Sequence, residues 1–265
     1  GIVIRDITIG QYYPTSSPVH KMDPRTKILI TFAYIFGLFF INSFIGYAFV
    51  ALCFLGAVKL SKVPLKFIMR GLKSIVFILL FTVALNMFFT RTGNPIFSFW
   101  IFTITDEGLM IAAKMGVRLI LLIVGSSLLT LTTSPIELTD GIENLLNPFR
   151  KIGVPAHEIA MMMSISLRFI PILLEETDKI MKAQMARGAD FESGNIIQRA
   201  KVMIPIMVPL FISAFRRAEE LAMAMEARCY RGGEGRTRMN KLCYKKLDAY
   251  AFATATAFMV GCILL

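Results

Sequence analysis

Residues 28–58 run for 31 positions without a charged side chain. As one straight helix this run would be about 46 Å long, against a hydrocarbon core of about 30 Å. A soluble domain has no use for such a stretch, and 55% hydrophobic residues with a mean hydropathy of +0.64 agree. The chain is therefore read as an integral membrane protein. Asn42 and Ser43, with Gly46 close by, offer a turn that splits the run into two short spans of 14 and 15 residues. Spans this short call for a locally thin bilayer or for burial against partners.

Charge supports the hairpin. Lys21, Arg25 and Lys27 precede it, and Lys59, Lys62, Lys66, Arg70 and Lys73 follow it. The positive-inside rule then places both ends in the cytoplasm, whereas a single span would put the five following cations outside. The net charge of +11 is read in the same way, as membrane topology with no nucleic-acid partner. Residues 74–90 cross outward, the loop at 91–107 is poor in basic residues, and 107–132 returns. Lys114 and Arg118 lie one helical turn apart in that return, and are expected to snorkel toward the outer headgroups in preference to forming an ion site. Residues 249–265 make a final 17-residue span. About five crossings result, in an all-α membrane protein. No signal peptide is expected in the first 20 residues, which lack an apolar core and include Pro14 and Pro18.

Residues 133–248 are different, because charges are interspersed with apolar residues at helical spacing. Four parts follow: a cytoplasmic segment at 1–27, four spans within 28–132, a cytoplasmic helical insert at 133–248, and the last span. In the insert, Ser134-Pro135-Ile136-Glu137 reads as a capping box with proline at the first helical position. That helix should run to about Leu146 and stop at Asn147-Pro148. A long helix starts at Pro155 and ends at Gly188, a natural residue for the position after a helix C-cap. Another occupies 195–228, with Pro205 and Pro209 expected to kink it.

Each long helix ends on arginine between small residues, as Ala186-Arg187-Gly188 and Ala227-Arg228-Cys229. Arginine there can simply cap the last carbonyls and pair with the helix dipole. It can also present a guanidinium to a carboxylate or to carbonyls in a partner's groove. Met161, Met162, Met163, Met203 and Met207 give pliable apolar surface, and Ala218 and Ala222 allow close helix approach. Ordinary helix packing and a platform for exchangeable partners both fit those residues.

Other chemistry has less to stand on. No carboxylate lies in 28–58, 74–90, 119–136 or 249–265, so a proton- or sodium-coupled carrier lacks its usual midplane groups. Gly232-Gly233-Glu234-Gly235-Arg236-Thr237 lacks the Gly-Lys-Ser/Thr ending of a P-loop. Cys53, Cys229, Cys243 and Cys262 have neither disulfide-framework nor zinc spacing, and two histidines make a His-centred metal site improbable. Glu175, Glu176 and Asp178 could hold magnesium diphosphate in an intramembrane prenyltransferase-like enzyme, although nearby Lys179 and Lys182 favour a solvated face. An independent channel would need polar lining residues, which the spans do not supply.

Several phrases together resemble one family. They are Gly10-Gln11-Tyr12-Tyr13-Pro14, His20-Lys21-Met22-Asp23-Pro24-Arg25-Thr26-Lys27, Leu129-Thr130-Leu131-Thr132-Thr133-Ser134-Pro135, Leu167-Arg168-Phe169-Ile170-Pro171, Ala186-Arg187-Gly188-Ala189-Asp190-Phe191, and the stretch from Met225 to Arg238. In this order they resemble the transmembrane T components of energy-coupling factor (ECF) transporters, the EcfT family, over nearly the full length. The resemblance implies a non-catalytic coupling subunit in the cell membrane of a prokaryote. It would join two cytoplasmic ABC ATPases, which hold ATP and magnesium, to a membrane S component that captures a vitamin or micronutrient. The chain itself would hold no cofactor and no metal. The resemblance further implies ATPase docking at Ala186, Arg187 and Gly188 and at Ala227, Arg228 and Cys229. The methionine- and alanine-rich faces become the S-component platform. Cys229 departs from the pattern, in which glycine is common there, and would strain the turn if a positive φ is required.

Overall fold

The structure is a computed structural model that describes residues 12–73, 75–89, 95–99, 102–189, 191, 195–233 and 242–264. Gly10, Gln11, Asp190 and the stretch 234–238 of the quoted phrases lie outside these residues, as do Gly235 and Thr237 of the glycine-rich run. The chain is all-α, with helices α1 (Pro24–Phe40), α2 (Phe44–Ser61), α3 (Leu65–Lys73), α4 (Val76–Phe89), α5 (Asp106–Thr132), α6 (Pro135–Leu146), α7 (Ala156–Ala186), α8 (Ile196–Ala227) and α9 (Lys246–Leu264). In the loop read from sequence at 91–107, β1 (Pro95–Phe99) and β2 (Phe102–Thr105) pair antiparallel as one small ribbon. Contacts divide the described residues into two compact units, one within 10–142 and 240–265, the other within 143–239.

Among the described residues four helices are long and apolar enough to cross a membrane: Phe44–Ser61, Asp106–Thr132, Ala156–Ala186 and Lys246–Leu264. A fifth span results if α3 and α4, which meet at 62°, are taken together. Helix α1 has 17 residues, about 26 Å. Length and composition thus also admit α7, whose later turns carry the charges that place it in the insert by sequence.

In the first unit the apolar run breaks where the small polar residues stand. Asn42 and Ser43 separate α1 from α2, and the Ser43 hydroxyl caps α2 by accepting from Ile45 N–H at 3.3 Å. Both helices extend past the uncharged run into its basic flanks, which lengthens the short spans. Helix α5 packs against α1, α2, α3 and α4. Leu121 joins Leu38, Ile41, Tyr47, Val50 and Cys262 in one apolar cluster, and Val124 and Leu131 join Phe54, Val58, Val63 and Ile68 in another. Between spans the surrounding lipid is as apolar as the side chains, so close fit decides packing. A Cβ at Gly125 would collide with the Tyr34 ring, and that approach lets the Tyr34 hydroxyl donate to the Leu121 carbonyl at 2.9 Å.

Arg118 finds partners within the protein. Its Nε donates to the Tyr47 hydroxyl at 3.0 Å and its Nη2 to the Ile41 carbonyl at 2.7 Å, and the Tyr47 hydroxyl donates to the same carbonyl at 3.1 Å. The guanidinium therefore satisfies the carbonyl left free where α1 ends. Lys114 lies over the Phe44 ring at 5.5 Å. Arg118→Met should destabilise the detergent-solubilised protein by about 2–3 kcal/mol: two charged hydrogen bonds worth about 1.5–3 kcal/mol each are lost, offset because the Tyr47 hydroxyl still serves the Ile41 carbonyl. A thermal-unfolding series would measure this, and Arg118→Lys should recover part of it.

The phrases before α1 build a buried polar knot. Asp23 caps α1 by accepting from Arg25 N–H at 2.9 Å, and its carboxylate pairs with the Arg25 guanidinium at 2.8 Å. Burial works against the Asp23 charge, but the bonds and charge of Arg25 outweigh it and hold the pKa below the ordinary value. That contribution is present above the ordinary carboxylate pKa and fades as pH falls through the lowered one. Arg25 also lies over the Tyr244 ring at 4.0 Å. The Lys27 ammonium donates to the His20 carbonyl at 3.1 Å and the Thr132 carbonyl at 2.9 Å, tying down the end of α5. His20 Nε2 faces the Tyr13 carbonyl at 3.0 Å and so carries the ring proton, leaving Nδ1 to accept from Ser17 at 2.7 Å. Asp248 closes the knot from α9. Its buried carboxylate accepts from Asp23 N–H at 2.9 Å and Lys245 N–H at 2.7 Å.

Candidate functional site

The second unit is built on α7 and α8. The capping box at the start of α6 forms as the sequence specifies, with Glu137 N–H on the Ser134 hydroxyl and Ser134 N–H on the Glu137 carboxylate, both at 3.3 Å. A 3-10 turn, Asn147–Ile152, follows α6, and Gly153 ends it with φ of 94°. Helix α7 then starts after Pro155 and α8 after Asn195. Both helices run on through prolines, Pro171 in α7 and Pro205 and Pro209 in α8, each of which withdraws one N–H from the helical ladder. Arg217 of α8 pairs with Glu176 of α7 at 3.2 Å. Leu221 and Met225 share a cleft with Met161 and Ile165, so late turns of α8 meet early turns of α7. The two helices are antiparallel, and their C-termini lie at opposite ends of the pair.

Those two ends have the same architecture. At α7, Gly188 N–H donates to the Met185 carbonyl at 2.9 Å and Ala189 N–H to the Gln184 carbonyl at 3.0 Å. At α8, Cys229 N–H donates to Glu226 at 2.8 Å and Tyr230 N–H to Met225 at 3.0 Å. Both are Schellman motifs, with arginine as the C-cap and the next residue in the left-handed region. Gly188 has φ of 89° and Cys229 of 56°. The turn therefore does require a positive φ, and cysteine adopts it. A side chain in that region costs roughly 1–2 kcal/mol, which glycine avoids. Cys229→Gly should accordingly raise stability by about 1 kcal/mol, read as a higher thermal midpoint.

Arg187 and Arg228 are both exposed, and neither forms an ion pair among the described residues. The ends differ in surroundings: Arg228, Tyr230 and Arg231 border the cleft floored by Met161, Ile165, Leu221 and Met225.

The remaining expected residues scatter over both helices. Met162, Met163, Met203 and Met207 are exposed, as are Ala218 and Ala222, while Met161 is half-buried in the cleft. The exposed apolar surface of α8 is larger than its methionines. Met203, Ile204, Met207, Val208, Phe211, Ile212 and Phe215 form a stripe two residues wide along it. A helical count from Met203, at steps of four with the residue after each, would have found it. In the acidic cluster, Asp178 bonds Lys182 at 2.6 Å and Glu176 bonds Arg217, which leaves Glu175 on the exposed face. Among the described residues no group of three or more His, Cys, Asp or Glu side chains is placed to hold a metal ion.

Paired amphipathic helices with matching arginine caps, joined in sequence to a set of apolar membrane-length helices, define an all-α membrane protein. The family model described as CbiQ, cobalt transport protein, matches residues 15–239. The energy-coupling factor transporter transmembrane protein EcfT of Clostridium kluyveri is 60% identical over 262 residues, covering 98% of this chain and 96% of that protein. The protein of the same name from Thermosediminibacter oceani is 59% identical over 261 residues, with 98% of each chain covered. That of Bacillus subtilis is 52% identical over 240 residues, with 91% of each covered. The chain belongs to this family, the transmembrane T components of ECF transporters.

Proposed function

We propose that this chain is the non-catalytic coupling subunit of an ECF-type importer in a prokaryotic cell membrane. It links two cytoplasmic ABC ATPases, which bind ATP and magnesium, to a substrate-binding S component for uptake of a vitamin or micronutrient. Arg187 with Ala186 and Gly188 forms one ATPase-docking end, and Arg228 with Ala227 and Cys229 the other. The N-terminal segment and the insert face the cytoplasm. The observation that carries this reading is the duplicated end: two exposed arginines on identical caps, at opposite ends of one antiparallel helix pair. Two such ends suit a partner with two similar subunits, and stiff helices can pass relative movement of those subunits to the spans. The S-component platform is the exposed face that holds Met162, Met163, Met203, Met207, Ala218 and Ala222, to which the Phe211–Phe215 part of the stripe is added.

The matching family model carries cobalt in its description, whereas the curated relatives are named for the transporter without a substrate. A module shared by several vitamin S components fits the pliable methionine surface. The magnesium-enzyme reading loses its support, because Glu176 and Asp178 are engaged by cations of the helix pair itself. The test is purification of the tagged chain from native membranes in mild detergent, with mass spectrometry of its companions. Two ATPase subunits and one or more small apolar membrane proteins are expected. A chain that stays alone after crosslinking would overturn the proposal.

A further inference from the structure

Helix α3 is too short to cross a membrane, at nine residues and about 14 Å. It nevertheless lies between two apolar helices, α2 and α4, and turns by 62° into the latter. Steps of 100° per residue divide its surface into three. Ile68 points inward and is fully buried with Val124 and Leu131 of α5. Lys66, Arg70 and Lys73 form an exposed cationic arc. Between the two, Leu65 and Met69 stand 53% and 51% exposed. Just before the helix, Lys59 and Lys62 are exposed as well, with Lys62 turned to φ of 56° at the end of α2. None of these five cations forms an ion pair among the described residues, and the sequence holds no carboxylate from residue 24 to 105. The charge that would balance them has to come from outside this part of the chain.

We propose that α3 and the turn before it form an interfacial anchor that binds the phosphates of anionic phospholipids. Leu65 and Met69 enter the acyl boundary, and Lys66, Arg70 and Lys73, backed by Lys59 and Lys62, take the headgroup phosphates. Three observations select lipid as the occupant. The apolar helices α2 and α4 flank α3, its exposed apolar pair adjoins the cations, and the cations form no ion pair among the described residues, Arg70 making only a cation–π contact with the Phe67 ring at 5.1 Å. This goes beyond topology, since positive-inside placement needs the charges but not an amphipathic helix that presents them.

The test uses the full-length protein in nanodiscs of phosphatidylcholine mixed with phosphatidylglycerol, released and read by native mass spectrometry for retained lipid. The wild type should retain phosphatidylglycerol in preference to phosphatidylcholine, and the preference should fall as sodium chloride rises. Combined Lys66→Gln, Arg70→Gln and Lys73→Gln should reduce it by roughly fivefold for each charge removed. Lys66→Arg with Lys73→Arg should keep it, and so should Lys179→Gln with Lys201→Gln on the other unit. Equal retention of the two lipids by the wild type, or a preference indifferent to salt, would overturn the proposal without any variant. A triple variant with full preference, or equal loss in the Lys179 and Lys201 variant, would overturn it too. Inorganic phosphate at matched ionic strength should displace no more lipid than chloride does; stronger displacement would make this a site for free phosphate and sink the lipid assignment.

Discussion

Replacing Arg187 and Arg228 together by alanine should leave the protein inserted in the membrane and strip it of its ATPases. Each guanidinium is read as making charge-assisted bonds worth about 1.5–3 kcal/mol to its partner, so each loss weakens one attachment about ten- to hundredfold. The two ends act on one assembly, so the losses multiply, and the double variant should bind about a hundred- to ten-thousandfold more weakly. Single variants should copurify with reduced ATPase, because the second end still holds. The measurement is ATPase recovered per mole of tagged chain, set beside substrate uptake by the same membranes. Normal uptake by the double variant would remove the docking role from these arginines. Their neighbours should matter in a different way: Gly188→Val would oppose a φ of 89° and disturb the turn that presents Arg187.

The second large effect is expected in the other unit. Asp248→Ala removes the acceptor of two backbone N–H groups, those of Asp23 and Lys245, inside a buried knot. Each orphaned donor costs about 1–3 kcal/mol, so the loss should be about 2–6 kcal/mol. The thermal midpoint should fall by roughly 2–4 °C for each kcal/mol. Asp248→Asn keeps one acceptor oxygen and should lie between the two. An unchanged midpoint for the alanine variant would mean that other groups or water satisfy these donors. The same knot explains the His20–Lys27 phrase, which works here as structure: Asp23 starts α1, Arg25 reaches Tyr244, and Lys27 ties down the end of α5.

What could be read from the sequence was what local chemistry decides. Asn42 and Ser43 break the apolar run, with the Ser43 hydroxyl capping the second helix. Ser134 and Glu137 close a capping box within four residues, Asn147-Pro148 ends α6, and Gly188 ends α7. The arginine ends were also legible, since each is a local phrase repeated in the chain. What stayed hidden depends on distant partners. Asp248 meets Asp23 across 225 positions, and nothing near either residue announces it. Arg118 looked like a snorkelling cation because its helix alone offers no acceptor; the carbonyl of Ile41, 77 positions away, supplies one. The position of Cys229 in the left-handed region could only be posed as a question, because cysteine disfavours a conformation that the surrounding Schellman bonds impose. On α8 the methionines drew the reading, while Phe211, Ile212 and Phe215, ordinary core residues by type, are exposed among the described residues.

The central claim, that each arginine end seats its own ATPase subunit, is tested most directly by photocrosslinking from beside the two caps. A photoreactive amino acid placed singly at Met185 and at Glu226, both exposed and both two residues ahead of the arginine, would report what each end touches. The expected result is an ATPase adduct from both positions in assembled membranes, with each adduct lost when its neighbouring arginine is replaced by alanine. ATPase adducts from neither position, in membranes where uptake is intact, would contradict the account.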